Sequence, residues 1–334
     1  MDLGKRLKLV ISFLLFSIAA YAQNADISTL IKEGIELNNA HNYAGAIEKY
    51  KQALSSDPEN AQANYQIAFS LFSSGKGMDG VPYLDKVVKT SNSFTGPAYE
   101  LLGSIYDAAK QPQQAIDAYK AGIKIKPDYQ PLYFNIGLAY FRAAKYADAE
   151  QAAIEAIKLD PKHANSQRLY ALVCFHQNKR GPTLMALCNF LLLEPDGPRS
   201  AEAYTNMQSI LKGGILKTEG KTDAANAAWN KALLAAVATT DNRRYASATD
   251  LLAAQVKAIF IAIGQLSEKQ TGNDFFRNYY AAFFYKLAQT EHMPAFARLV
   301  DLSANKAADS QWLQQNEDKR KALEAWLVAA ERKF

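Results

Sequence analysis

A period of 34 residues runs through the chain as far as Pro195. Gly103 and Gly137, Tyr106 and Tyr140, Ala115 and Ala149, Pro127 and Pro161, and Pro161 and Pro195 are each 34 residues apart. A fixed period of this size predicts stacked units, each too small to bury its apolar face alone. The stretch Tyr133–Pro161 shows what one unit is. Tyr133, Ile136, Gly137 and Tyr140 recur at spacings of three and four, so they share one face of a helix. Ala149, Ala153, Ala156 and Ile157 do the same for a second helix. Small residues on the facing stripes let the two backbones approach closely, with Tyr140 filling the space beside them. Pro161 cannot continue a helix and closes the unit.

The residues at this period resemble the tetratricopeptide repeat. That family carries an aromatic residue, then Leu-Gly, then Tyr, then Ala, an aromatic and Pro. Tyr99, Leu102, Gly103, Tyr106, Ala115, Tyr119 and Pro127 follow that order and spacing. The resemblance implies an all-α solenoid of about five helical hairpins, at 27–60, 61–94, 96–129, 130–163 and 164–197. The second unit is degenerate. Gly75, Gly77 and Gly80 cluster at its turn, Pro82 is expected in the first turn of its second helix, and Asn92 stands where the closing Pro belongs.

Beyond Gly197 the period fades. Ala225, Trp229 and Ala232 suggest the second helix of a sixth, degenerate repeat, with Ala201–Lys212 as its partner. Further helices are expected over Ala248–Leu266 (opening after Ser247), Asp274–Gln289 and Ser310–Arg332. Residues 198–334 are expected to pack on the last repeat, because an array needs a terminal element over its final apolar face. Phe275, Phe276, Tyr279, Tyr280, Phe283, Phe284 and Tyr285 surround one helix on more than one side, which predicts burial rather than a ligand box.

Lys5, Arg6 and Lys8 precede an apolar run, Leu9–Ala19, and the small-x-small pattern Ala20-Tyr21-Ala22. This reads as a signal peptide, residues 1–22, cut before Gln23, with export to a bacterial periplasm as the expectation. The run is short of the roughly 20 residues a spanning helix needs, so the mature form is not expected to span a membrane. Cleavage would remove three cations and one anion, taking the net charge from +5 to +3. That is too balanced for a nucleic-acid partner. Cys174 and Cys188 are read as buried free thiols, because helical register leaves them out of alignment for a disulfide.

Little points to chemistry. The four His and two Cys show no paired spacing for a metal, and no glycine loop follows a strand to hold a phosphate, so neither metal nor cofactor is expected. His176 falls near the end of a first helix and reads as a surface or packing residue. In the resembled family the first helix of each repeat lines a concave groove. The positions that would line it are Tyr65, Phe69 and Phe72; Phe134, Leu138, Phe141 and Arg142; and Arg168, Leu172 and Phe175. The positions used elsewhere in the family to clamp a peptide carboxylate are assigned to Ile31, Ile35, Gln66, Pro97 and Leu101, so that mode is not expected. Two readings stay open for the aromatic run: an open groove binding a protein or peptide partner, or rings covered by the C-terminal helices. The function expected is a non-catalytic interaction scaffold. The alternatives are an enzyme or carbohydrate-handling accessory with its site in 198–334, and a structural subunit of an envelope complex.

Overall fold

The computed structural model describes residues 26–213, 223–240, 243–272 and 274–334. The expected signal peptide lies outside them, as does most of the connection between Ala201–Lys212 and the helix holding Trp229. The described residues are helical, with no strand among them.

Helices follow one another in pairs: α1 over 26–39 and α2 Tyr43–Ser56; α3 Ala61–Ser73 and α4 Gly77–Val88; α5 Thr95–Ala108 and α6 Pro112–Ile125; α7 Gln130–Arg142 and α8 Tyr146–Leu159; α9 Ala164–His176 and α10 Arg180–Leu193. The turn inside each pair is built the same way. His41, Gly75, Lys110, Ala144 and Asn178 all have left-handed backbone, with φ between 53° and 79°. The next residue's N–H then returns to a carbonyl five residues back: Asn42 to Leu37, Lys76 to Leu71, Gln111 to Tyr106, Lys145 to Tyr140 and Lys179 to Cys174. These bonds satisfy carbonyls that the end of a helix leaves orphaned. Only one of the five turn positions is glycine, which is why the turns are hard to see in the sequence.

The chain divides into two compact units at Ala139 and Tyr140. In the first, paired helices close on small residues. A Cβ on Gly34 would meet the Tyr50 ring at 2.3 Å, and one on Gly103 would meet the Tyr119 ring at 2.2 Å. Each glycine is therefore the socket of a repeat tyrosine. Pro82 lies in the second turn of α4, inside the helix and not in its first turn as expected, because α4 already starts at Gly77. The degenerate repeat ends without its proline because Asn92 acts instead. Its side-chain N–H donates to the Val87 carbonyl at 2.9 Å and its Oδ1 accepts from the Phe94 N–H at 2.8 Å.

The second unit adds α11 Ser200–Leu211, α12 Ala224–Ala238, α13 Ala248–Glu268, a π-helical turn Phe276–Ala281 running into α14 Ala282–Ala288, α15 Met293–Asp301, α16 Lys306–Gln315 and α17 Glu317–Ala329. Every residue of α10 from Gly181 to Leu191 is buried; α11, α12, α15 and the π turn pack on it. Leu187 and Phe190 stand 34 residues after Ala153 and Ala156, and their bulk fills this interior. Cys174 and Cys188 are both buried and free. Ser247 caps α13, accepting from the Asp250 N–H. Phe276, Tyr279, Tyr280, Phe283 and Phe284 are buried, as expected of a core stripe, whereas Phe275 and Tyr285 are only half-buried.

Two expectations need correcting here. Ser310–Arg332 is not one helix: Asn316 leaves helical backbone and separates α16 from α17. And a further helix, α15, with Arg298 and Asp301 buried in it, stands between the expected Asp274–Gln289 and Ser310–Arg332 segments. Arg298 is held by Asp250 at 2.7 Å and faces Asp309 at 3.7 Å. It also stacks over Trp312 at 4.6 Å. Thr249 donates to Asp301 at 2.7 Å. Burial, then the neighbouring Asp301 carboxylate, pushes Asp309 up to about 6 against the pull of Arg298.

Candidate functional site

None of the ten residues assigned to the groove is buried. Phe69 and Arg142 are exposed and the other eight are half-buried. The opposite stripes of the same helices are buried: Ala63, Ile67 and Ala68 on α3, Leu132, Ile136 and Ala139 on α7, and Leu169, Val173 and Cys174 on α9. Helical period alone separates the two sets, since residues three and four apart share a face.

In the first unit these positions form an aromatic patch with one acidic centre. Tyr65 stacks with Phe69 at 6.4 Å between centroids and leans on Phe94 at 5.4 Å. Phe69 is 37% exposed. On α5, Glu100 accepts from the Tyr129 hydroxyl at 2.8 Å and from the Asn135 side chain at 3.3 Å. Burial, then the hydrogen bond to Glu100 and its charge, raises Tyr129 well above the ordinary phenol range. Burial first and Glu100 second raise Tyr65 as well. Both phenols therefore stay protonated, and Tyr129 serves as a donor to a fixed carboxylate. Phe134 and Leu138 lie on α7 in this same unit.

The second unit carries another patch. Phe141 and Tyr146 approach at 5.8 Å, and His176 stacks on Tyr146 and meets Phe141 edge-on, both at 5.1 Å. Phe175 is 6.1 Å from His176. His176 is thus an exposed member of an aromatic cluster. Leu172 is half-buried on the same helix, α9. Arg168 is already engaged, donating to Glu202 of α11 at 2.7 Å, so its charge is partly neutralised within the chain.

Phe94, Glu100, Tyr129, Asn135, Tyr146 and His176 join these patches from outside the assigned groove positions. Glu100 could have been found by continuing the α3 spacing into α5, since it lies one residue before Leu101. The clamp assignment needs a shift for the same reason. Ile31 and Leu101 are 4% and 6% exposed and face the core, so they are not groove positions.

A cavity of about 350 Å³ in the second unit is lined by Glu150, Asp223, Asp274, Lys179, Tyr170 and Trp229 among others. Its carboxylates have structural work. Glu150 bonds Lys179 at 2.5 Å, Asp223 caps α12 through the Asn226 N–H at 2.8 Å, and Asp274 accepts the Arg277 N–H at 2.8 Å.

Residues 35–183 match the family model of the N-terminal TPR repeats region of Psidin. Among curated proteins, the chain is similar to human tetratricopeptide repeat protein 6, with 25% identity over 148 residues. That match covers 44% of this chain and spans 28% of the length of that relative. Among solved structures it is similar to MamA, at 24% identity over 48% of this chain and 94% of that one, with a TM-score of 0.44. It is also similar to YrrB, described as a TPR protein with an unusual peptide-binding site, at 18% identity over 57% and 97% of the two chains and a TM-score of 0.44.

Proposed function

We propose that this member of the tetratricopeptide repeat family is a non-catalytic scaffold that captures an apolar segment of a partner protein on its exposed aromatic positions. One observation carries the reading: Phe69 is exposed and the rings in register with it are only half-buried, on helices whose other face is shut by alanine and isoleucine. A soluble protein gains nothing from exposed rings grouped in this way, whereas an interface gains much from them. The Glu100 centre, ringed by the Tyr129 and Asn135 donors, would set the register of a segment bearing one polar or cationic group. The expected signal peptide supports export, and a periplasmic partner, as part of the same proposal.

The test uses Phe69→Ala, Phe134→Ala and Phe141→Ala, made singly. Each is assayed for its thermal midpoint and for capture of a stoichiometric protein from the source envelope. An interface ring could contribute about 1–3 kcal/mol to binding, so capture should fall while melting shifts by only a few degrees. Loss of melting temperature on the scale of a core truncation in all three variants would sink the proposal. So would undiminished capture by all three.

A further inference from the structure

After α17 the chain continues through 330–334 without regular structure. Among the described residues, no backbone group of 331–334 is paired with another backbone group. Two side chains hold the segment. Arg332 donates to Oδ1 of Asn189 on α10 at 2.6 Å. Its guanidinium carbon sits 3.6 Å from the centre of the Phe283 ring and 4.8 Å from that of Tyr279. Phe334 then stacks on the other aromatic of this seat, Tyr279, at 5.2 Å and 17°. Nη1 of Arg332 is buried with no partner, and no acidic group answers its charge among the described residues.

The floor of this seat is the π turn Phe276–Ala281. One extra residue in that turn lets Tyr279 and Tyr280, adjacent in sequence, both be buried. Their hydroxyls are both tied to Gln167 of α9: its Nε2 donates to Tyr279 at 3.1 Å, and Tyr280 donates to its Oε1. Single π turns recur at functional sites because they re-aim side chains at a cost in helix geometry. Phe334 also lines two cavities, of about 350 and 360 Å³, and is 45% exposed, so the segment lies at the surface beside open space.

A half-buried arginine with a buried, unpartnered Nη1 and no carboxylate bonded to it, on a segment with no main-chain pairing, has the features of a ligand more than of a core element. Arginine stacked on aromatic faces is a recognition contact. The covalent link keeps the local concentration of this segment high, so modest contacts suffice to hold it. We propose that this seat is a peptide-binding site occupied in cis by residues 331–334. When they leave, it takes an extended partner segment carrying an arginine and, two residues on, an aromatic ring. The proposal concerns surfaces other than the exposed aromatic patches and stands independently of them.

The test is fluorescence anisotropy with a labelled, amidated peptide reproducing residues 329–334. It is titrated with the full chain and with a full chain carrying Arg332→Ala and Phe334→Ala together. The freed chain should bind at least tenfold more tightly than the unaltered one, and a peptide with alanine in place of its arginine should not bind. Adding Asn189→Asp to the freed chain gives the incoming arginine a carboxylate and should tighten binding several-fold further. Equal binding by the freed and unaltered chains would overturn the proposal. So would indifference to the peptide's arginine, or to Asn189→Asp. If the doubly substituted chain loses cooperative melting, residues 331–334 are a core element and the proposal fails on that ground.

Discussion

The two compact units fill themselves with different material. Up to Ala139 the largest fully buried side chains are Tyr50, Ile67, Leu84, Ile105 and Leu132. From Tyr140 onward they are Tyr170, Phe190, Phe260, Tyr279, Tyr280, Phe284 and Phe296. The first unit is not short of rings; it leaves Tyr65, Phe69, Phe72, Tyr99 and Phe134 short of full burial. The cause is the hairpin interior. Where alanine and glycine bring two backbones close, a ring fits only opposite a missing Cβ, as Tyr50 does at Gly34 and Tyr119 at Gly103. The other rings are turned to the surface, where they can meet a partner. The second unit has one such socket of its own, Gly264 against the Tyr285 ring, but its helices after α10 do not repeat a spacing, and large rings also fill the interior between them.

The largest effect expected from this contrast is on stability. Phe284 is fully buried and packs on Phe260 at 4.6 Å and Phe296 at 6.0 Å between centroids. Phe284→Ala should cost about 3–5 kcal/mol, read by denaturant unfolding. Phe69→Ala in the first unit should cost under about 1 kcal/mol, since the ring is already 37% exposed and surface substitutions have small effects. Similar costs for the two would break the comparison at its root.

The second unit also buries charge, and this should show in its pH dependence. Asp309 is raised from 3.8 to about 6 by burial and by Asp301. A carboxyl whose folded value lies above its unfolded one binds its proton more tightly in the folded state. Its contribution is therefore present below about pH 4 and is lost as pH rises through about 6. The full shift corresponds to at most about 3 kcal/mol. Asp309→Asn should then stabilise the chain at pH 7.5 by a share of that amount and make no difference at pH 4. A stability difference independent of pH over this window would show that Arg298, 3.7 Å away, already compensates the charge.

Close approach in the first unit predicts a cost of overpacking. A methyl on Gly103 would lie 2.2 Å from the Tyr119 ring. Gly103→Ala should destabilise by about 1–3 kcal/mol even though alanine is the better helix former. A neutral or stabilising result would mean that the hairpin opens freely, and that small residues are not what keeps rings out of it.

The same contrast decides what could be read from the sequence. The repeats were legible because each obeys one local rule, and because the glycine–tyrosine sockets recur in register. The exposed aromatic positions followed from that register, although Glu100 and His176 did not, being polar residues that no apolar pattern marks. In the second unit Ser247 was legible as a cap, because its hydroxyl bonds the N–H three residues on. The Asn316 break was not. Leu313 and Leu323 suit a continuous helix, and no proline or glycine stands between them. Nor was α15, a nine-residue helix whose buried face includes Arg298 and Asp301, charges that read as solvent-facing until their partners on other helices are known. Pairing across distant sequence is what a single chain conceals.

The smallest effect tests whether the units share anything beyond helicity. Their hairpin turns should be interchangeable, since Gly75 in the first and Ala144 in the second have φ of 79° and 53°. A Cβ at Gly75 would meet nothing within 4 Å, so only the left-handed backbone opposes Gly75→Ala. An L side chain in that conformation costs about 1–2 kcal/mol, offset in part by the lower entropy of the unfolded chain. The substitution should therefore destabilise by about 0.5–1 kcal/mol. Ala144→Gly should stabilise by a similar amount, because it removes the same strain. Chemical unfolding of both variants at one pH measures the two shifts. Shifts of opposite sign and similar size mean that one turn rule serves both units and that they differ only in what they bury. A destabilising Ala144→Gly would mean that the methyl group makes a contact worth more than the strain, and that the turns, like the cores, follow separate rules.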